Sequence, residues 1–476
     1  MFGLFQELAS MPVSAISETT IAYNVLSIEL IKQYQIIPLK IENGVLHIAT
    51  VDPNNTYILS VIAFHTGLKT YPIPVDENQL NYLMNKYCNN MNITHKINQS
   101  TPKISQYEDT HDETLIDFVN QIIETGIKQS ASDIHIEPYA NLCRIRYRCD
   151  GILYDKLSLT TEFAIRIITR LKILAKLDIT EHRFPQDSRF QYQTTDIRIN
   201  SCPTLFGEKI VLRLLNNDKA ILSISALGFS AFQKQLFMHN ITKPHGMIIV
   251  TGPTSSGKTS TLYAALHHLN IAEKNITTIE DPIEIQIPGI NQMNIQSKIN
   301  LDFSILLRAI MRQDPDIIMI GEIRDKETAA VAIQAATTGH LVLTSLHTNS
   351  AAETILRLVS LGISPLQIAN SVSLIIAQRL IRKLCHYCKN LSTQQNTFTA
   401  IGCLHCSNGY LGRTGIFELL PIDEKMAKCI LTDNDSTSIK NSMKENGHDL
   451  LYESAYKKVL QGMTSLEEIN RIIIQT

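Results

Sequence analysis

Gly252-Pro253-Thr254-Ser255-Ser256-Gly257-Lys258-Thr259 is the stretch whose residue types and spacing can most directly do chemistry. It carries the pattern G-x-x-x-x-G-K-[ST] in full. Gly252 and Gly257 let the backbone turn tightly and approach an anion without a Cβ in the way. The loop amides, and the helix that Ser260 continues, offer donors and partial positive charge to phosphate groups. Lys258 brings an ammonium to the β- and γ-phosphates of a nucleotide, and Thr259 a hydroxyl to Mg²⁺.

Acids and histidines follow at informative places. Ile317-Ile318-Met319-Ile320-Gly321-Glu322 reads as an apolar strand ending in an acid. In an open α/β sheet that is the edge where ligands gather, so Glu322 could orient and activate an attacking water. Glu280-Asp281-Pro282-Ile283-Glu284 follows another strand; such acids could hold Mg²⁺-bound waters or position the nucleophile, although three acids in a turn more often face solvent. His340 and His347 bracket the short strand Leu341–Leu346. They lie at its opposite ends and on different faces, so they cannot hold one metal between them. A γ-phosphate sensor at one end is one reading; a hydrogen-bonded structural role is the default for each alone.

Nine cysteines without a framework spacing argue against a secreted disulfide scaffold. Cys385-x-x-Cys388 and Cys403-x-x-Cys406, 14 residues apart, fit a tetrahedral zinc site with four cysteine ligands. Four ligands fill the shell, so the site is structural. Basic Arg379, Arg382, Lys383 and Lys389 flank it and keep a nucleic-acid-binding ribbon in view.

The elements that must position these residues are legible in outline. The predicted strands Met247–Val250, Ile276–Ile279, Ile317–Ile320 and Leu341–Leu346 are of the buried, largely apolar type and alternate with helical stretches. That pattern is an α/β fold with a parallel-rich sheet covered on both faces, over 221–476, with the cysteine insertion at 385–406 and a helical C-terminal region. Residues 113–220 read as a second α/β unit. Its helices run through Leu115–Ile123 and about 163–177. Its strands are Ile134–Glu137, Cys143–Arg148, Phe190–Gln193, Asp196–Asn200 and Lys209–Leu215, with a turn at Asp150-Gly151. Residues 1–97 form a small α/β module in which strands 35–41 and 45–50 flank a turn at Asn43-Gly44, with Leu80, Leu83, Met84 and Tyr87 at helical spacing. The polar stretch 98–112 reads as a flexible linker.

Composition narrows the function. A hydrophobic share of 44% suits a chain with real cores, and a formal net charge of −2 is unlike a dedicated nucleic-acid binder. No apolar run approaches the roughly 18–20 residues that span a bilayer, and Met1–Glu7 lacks a secretory signal. A cytoplasmic location is expected, with membrane contact through a partner.

Taken together, the motifs resemble the secretion ATPases of type II secretion and type IV pili, densely over 113–425 and loosely elsewhere. Gly252–Thr259 is similar to that family's Walker A, Glu280–Glu284 to its aspartate box, Asp314–Asp325 to its Walker B region and Gly339–Asn349 to its histidine box. The cysteine pairs followed by Gly409–Glu418 belong to the same resemblance. Asn200–Arg213 and Gly289–Gln292 are similar to its pilus-assembly branch. The resemblance implies a RecA-like P-loop core preceded by a PAS-like domain (113–220) and a partner-docking N-terminal module, assembled as a homo-hexamer with ATP and Mg²⁺ between subunits. It implies Glu322 as general base, Glu280, Lys258, His340 and His347 as catalytic or γ-phosphate-linked residues, and Arg198 and Arg213 as arginines delivered to the nucleotide when domains close. It also implies an inner-membrane platform protein and pilus or secretion assembly proteins as partners, at the cytoplasmic face of a bacterial inner membrane. Two rivals remain, a type II secretion motor and a RecA-like nucleic-acid translocase. Three departures stand out. Asp187-Ser188-Arg189 replaces Asp-Gly-Arg at an expected turn, the cysteine pairs are closer than usual, and the N-terminal module lacks paired Arg-Leu-Gly, so cyclic di-GMP is not expected to bind.

Overall fold

The computed structural model describes Leu26, Ile31 and residues 34–84 apart from 43–44, 67, 78 and 81–82. It further describes residues 112–473 apart from 216–222, 297–298, 393–396, 404 and 433–434. Of the predicted linker 98–112, residues 98–111 lie outside the described residues, as do the start Met1–Glu7, the Asn43-Gly44 turn and Tyr87, while Asp112 begins a helix. The chain divides into two compact units, Met1–Thr110 and His111–Thr476.

In the first unit, β1 (Ile36–Glu42) and β2 (Val45–Thr50) pair antiparallel. The helix Thr56–Thr66 then crosses over to β3 (Lys69–Pro74), which pairs parallel with β2. Ile36, Ile37, Leu46, Ile48 and Ile62 are fully buried between them. Sequence alone gave no sign of β3, because its two prolines cannot donate to a ladder; an edge strand tolerates them.

The second unit opens with a six-stranded antiparallel sheet. Its strands are β4 (Ala131–Pro138), β5 (Cys143–Cys149), β6 (Ile152–Leu159), β7 (Gln186–Tyr192), β8 (Thr195–Thr204) and β9 (Gly207–Leu215), ordered β6-β5-β4-β9-β8-β7. Ile134, Ile136, Ile145, Tyr147, Ile199 and Leu212 alternate onto one face and form a core with the helices Asp112–Lys128 and Thr161–Leu174. The intervening positions, Arg144, Arg146, Arg198, Lys209 and Arg213 among them, occupy the other face. Asp150 and Gly151 both take positive φ and close the β5–β6 hairpin as expected. The pattern of β6 escaped the sequence reading, since the register slips opposite Ile145 and Arg146 and breaks its alternation.

The remainder is built on a seven-stranded sheet. Its members are β10 (Gly246–Thr251), β11 (Ile276–Glu280), β12 (Asn291–Asn294), β13 (Ile317–Ile320), β14 (Leu341–Leu346), β15 (Val372–Leu384) and, later in the chain, β18 (Tyr410–Pro421). The order is β12-β11-β13-β14-β10-β15-β18; all pairings are parallel except β15–β18. Every residue of β10, β11, β13 and β14 is buried, which is why Ile, Leu, Val and Met dominate their sequences and Glu280 is their one charged residue. Met247 and Ile249 face helices 303–310, 326–337 and 351–360, while Ile248 and Val250 face helices 231–241 and 258–269. Four helices between Glu424 and Ile472 complete the first of these cores through Met426, Ile439, Ala455 and Ile469. Between β15 and β18, a hairpin of β16 (Asn390–Ser392) and β17 (Thr397–Thr399) fills the 14 residues between the cysteine pairs.

Candidate functional site

Strand β10 runs straight into the P-loop, and helix Lys258–Leu269 leaves it. The glycines are fixed by contact. A Cβ on Gly252, at φ +150°, would stand 2.5 Å from the Gln378 carbonyl oxygen, and one on Gly257, at φ +89°, 2.8 Å from Gln378 Nε2. Ser255 holds a positive φ of 64°, a costly state for a non-glycine residue. Ser256 Oγ is buried without a hydrogen-bond partner among the described residues. A strained loop presenting an orphaned buried hydroxyl fits an anionic ligand at this turn. Lys258 Nζ donates to the Gly252 and Pro253 carbonyls at 2.9 and 3.1 Å. Burial lowers the Lys258 pKa, nearby Arg379 adds to the effect, and the Glu322 charge opposes both. Pro253, Thr254 and Thr259 remain exposed, with Ser260 half-buried.

Glu322 stands where β13 ends. Three bonds knit its turn between neighbouring strands: Gly321 N to Ile279 O at 2.8 Å, Ser345 Oγ to Gly321 O at 2.7 Å, and Ile323 N to Ser345 O at 3.1 Å. One Glu322 oxygen pairs with Arg324, and the other lies 2.9 Å from His347 Nε2. Arg324 also reaches Asp281 at 3.5 Å. His347 is tied to the P-loop by its neighbour, since Thr348 N donates to Thr251 Oγ1 at 2.9 Å. Lys258, Glu322 and His347 are thereby gathered at the C-terminal edge of the sheet, which is where an open parallel sheet binds ligands.

Two expected residues are not brought there. His340 precedes β14, at the opposite edge, where Gly246 rather than Thr251 is its register neighbour. Its Nδ1 lies 3.0 Å from the Ala335 carbonyl. The six residues of β14 separate it from His347, about 20 Å of strand, so it cannot reach a γ-phosphate in its own chain. Glu280 is only 3% exposed. Its oxygens are taken by Tyr263, by Thr278 Oγ1 at 2.7 Å and by Gln292 Nε2 at 3.0 Å. Its oxygens are thus satisfied by neutral donors at the edge of the sheet. Asp281, exposed beside it and paired with Arg324, is the acid of that box that meets the site.

The two arginines of the antiparallel domain are held by acids of their own sheet. Arg198 Nη2 pairs with Asp187 at 2.6 Å, and Arg213 Nε with Asp133 at 3.1 Å. The bond from Asp187 chiefly favours the Arg198 charge, and the more distant Glu284 and Asp281 add to it. Arg189, which sequence reasoning missed, donates to the Ile283 carbonyl at 3.1 Å across to the nucleotide-binding domain. The stretch Asp187-Ser188-Arg189 is not a turn but the middle of β7, with Ser188 Oγ donating to Ala175 O at 2.7 Å. Its φ is not positive, which leaves room for serine there.

Gln378 and Arg379 on β15 were also missed as site residues. Gln378 Oε1 accepts from Thr261 in the P-loop helix at 2.7 Å, under both glycines. Arg379 donates to the Asn349 carbonyl and side chain at 3.0 and 3.2 Å, clamping the loop after His347. No motif marks either residue; only the parallel pairing of β15 with β10 brings them beneath the loop.

The four cysteines Cys385, Cys388, Cys403 and Cys406 converge with all sulfurs within 4.8 Å of one another. Sγ–Sγ separations of 3.8, 3.7 and 3.6 Å match the edge of a tetrahedron with Zn–S bonds of about 2.3 Å. The donor set therefore fits zinc. Two of the flanking cations are used elsewhere: Arg382 grips Glu468 at 2.7 Å and Lys389 donates to Gly462 O at 2.8 Å.

Comparison with known proteins places the chain in a class. The family described as "Type II/IV secretion system protein" matches residues 108–471, and an MshEN domain matches 9–92. The chain belongs to that secretion family and is a P-loop ATPase. It is 42% identical over 480 residues to the type IV pilus assembly ATPase PilB of Acinetobacter baylyi, covering 93% of this chain and 83% of that protein. It is 40% identical to type II secretion system protein E of Pseudomonas aeruginosa, over 78% of each. The crystal structure of the pilus retraction motor PilT with bound ADP superposes with a TM-score of 0.53 at 26% identity, covering 75% of this chain and 96% of that one.

Proposed function

We propose that this chain is the hexameric, ATP-hydrolysing motor that drives type IV pilus assembly at the cytoplasmic face of an inner membrane. The observation that carries the chemistry is the convergence of Lys258, Glu322 and His347 at the P-loop edge. The alignment with PilB runs over 93% of the chain, against 78% with the type II secretion protein, which favours the pilus over the secretion system. No described helix is long and apolar enough to cross a membrane, in keeping with recruitment through a platform protein. The translocase reading loses support because Arg379, Arg382 and Lys389 are bound internally.

The amides of Gly252–Gly257 and the Lys258 ammonium hold the phosphates, and the Thr259 hydroxyl would ligate Mg²⁺. Held there, the metal would supply neutralisation of the phosphate charge. Glu322 orients the attacking water and takes its proton; to do so it must exchange Arg324, which Asp281 is placed to receive. His347 holds the other carboxylate oxygen and passes its position to the loop anchored by Thr348 and Arg379. Arg198 and Arg213 leave Asp187 and Asp133 to meet phosphate as the domains close. The four cysteines would hold Zn²⁺ and so fix the strands between them.

Two outcomes test this reading. Deleting the gene in its own bacterium should remove surface fibres while leaving secreted enzymes at their normal level, as seen by electron microscopy and culture-supernatant assay; fibres intact with secretion lost would assign it to type II secretion. Replacing Cys385 by Ser should lower the bound zinc of the purified chain from about one per protomer to near zero by atomic emission and reduce its melting temperature, since structural zinc contributes directly to folding.

A further inference from the structure

A cavity lies away from the P-loop, between the start of helix Ala231–Ile241 and the helix Leu451–Leu460. Its volume is about 420 Å³, within the range of small-molecule sites. Gly228, Phe229, Phe232 and Met463 give it an apolar wall, and Lys457 and Lys458 its cations. None of the residues 252–259 lines it.

Lys458 is the feature that needs a reason. It is 8% exposed. Its Nζ donates to the Gly228 carbonyl at 2.6 Å and to Thr414 Oγ1 at 3.3 Å, both neutral. No carboxylate among the described residues pairs with it, whereas its neighbour Lys457 is held by Asp449 at 2.5 Å. Burying an ammonium with only neutral acceptors is costly. Burial alone pushes its pKa down to about 8. A purely structural residue at this position would be better served by an uncharged side chain.

We propose that this cavity binds a small organic anion, its oxyanion head on Lys458 and its apolar body against Phe232 and Met463. The site is independent of nucleotide binding at the P-loop. Of the other ionisable groups nearby, Asp449 is neutralised by Lys457. His448, whose ring centroid lies 6.0 Å from that of Phe232, has its pKa lowered by burial. Lys458 is then the group whose charge is lost as pH rises through about 8, so affinity should fall over that interval.

The chain contains no tryptophan, so Phe232→Trp installs a single fluorophore in the cavity wall. With the P-loop saturated by ADP and Mg²⁺, phenyl phosphate at millimolar concentration should shift this fluorescence saturably, and inorganic phosphate should do so more weakly. Lys458→Met on that background should weaken phenyl phosphate binding at least about tenfold and raise the melting temperature. Between about pH 7 and pH 9 the affinity of the parent should drop about tenfold, following loss of the lysine proton. Absence of a saturable response, or equal affinity after Lys458→Met, would overturn the proposal. Should that variant not fold, an affinity indifferent to pH across this interval overturns it equally.

Discussion

Glu322→Gln is expected to lower ATP turnover by about 10²–10⁴-fold, the usual contribution of a positioned general base, while leaving ATP affinity within a few-fold of wild type. The amide keeps the shape and can still meet His347 Nε2, which lies 2.9 Å from the carboxylate. What it loses is the capacity to accept a proton, together with the ion pair to Arg324. Steady-state phosphate release and a separate nucleotide titration read the two quantities. A fall in turnover matched by an equal fall in affinity would show that Glu322 serves to organise the loop, and near-normal turnover would remove it from the chemistry.

Gly252→Ala is expected to weaken nucleotide binding by about 10²–10³-fold with the fold intact. The added methyl would sit 2.5 Å from the Gln378 carbonyl and 2.6 Å from Ser256 Oγ, and the first of these is backbone of the neighbouring strand β15. Overpacking costs about 1–3 kcal/mol, and an unfavourable φ adds about 1–3 kcal/mol; roughly 3–4 kcal/mol of this strain, borne by the loop in its phosphate-binding shape, gives that loss. Calorimetric titration with ATP and Mg²⁺ measures it, and circular dichroism confirms the fold. Unchanged affinity would mean that the loop does not close around phosphate in the conformation described.

The parts of this protein that were legible in its sequence are those where chemistry or burial restricts residue type. The P-loop needs two glycines, a lysine and a hydroxyl in order, and Ile, Leu, Val and Met dominate β10, β11, β13 and β14 because both faces of the sheet are covered. The cysteine cluster is equally restricted by its ligand count. What stayed hidden depends on pairing between distant segments. Gln378 and Arg379 look like ordinary residues of a strand until β15 pairs with β10 and sets them beneath Gly252 and Gly257. Glu280 carries the look of a catalytic acid; only the fold places Tyr263 and Gln292 against it. The placing of His340 at the far end of β14 is hidden for the same reason, because a motif gives positions along the chain without saying which end of a strand faces the ligand.

Everything assigned to this site rests on the loop at 252–259 gripping the terminal phosphates of a nucleotide. The most direct test is a titration of the assembled wild-type protein with ATP in the presence and absence of Mg²⁺. Saturable binding that Mg²⁺ strengthens, and that Gly252→Ala all but removes, is the expected result. A wild-type ring with no magnesium-dependent affinity for adenine nucleotides would contradict the account at its base.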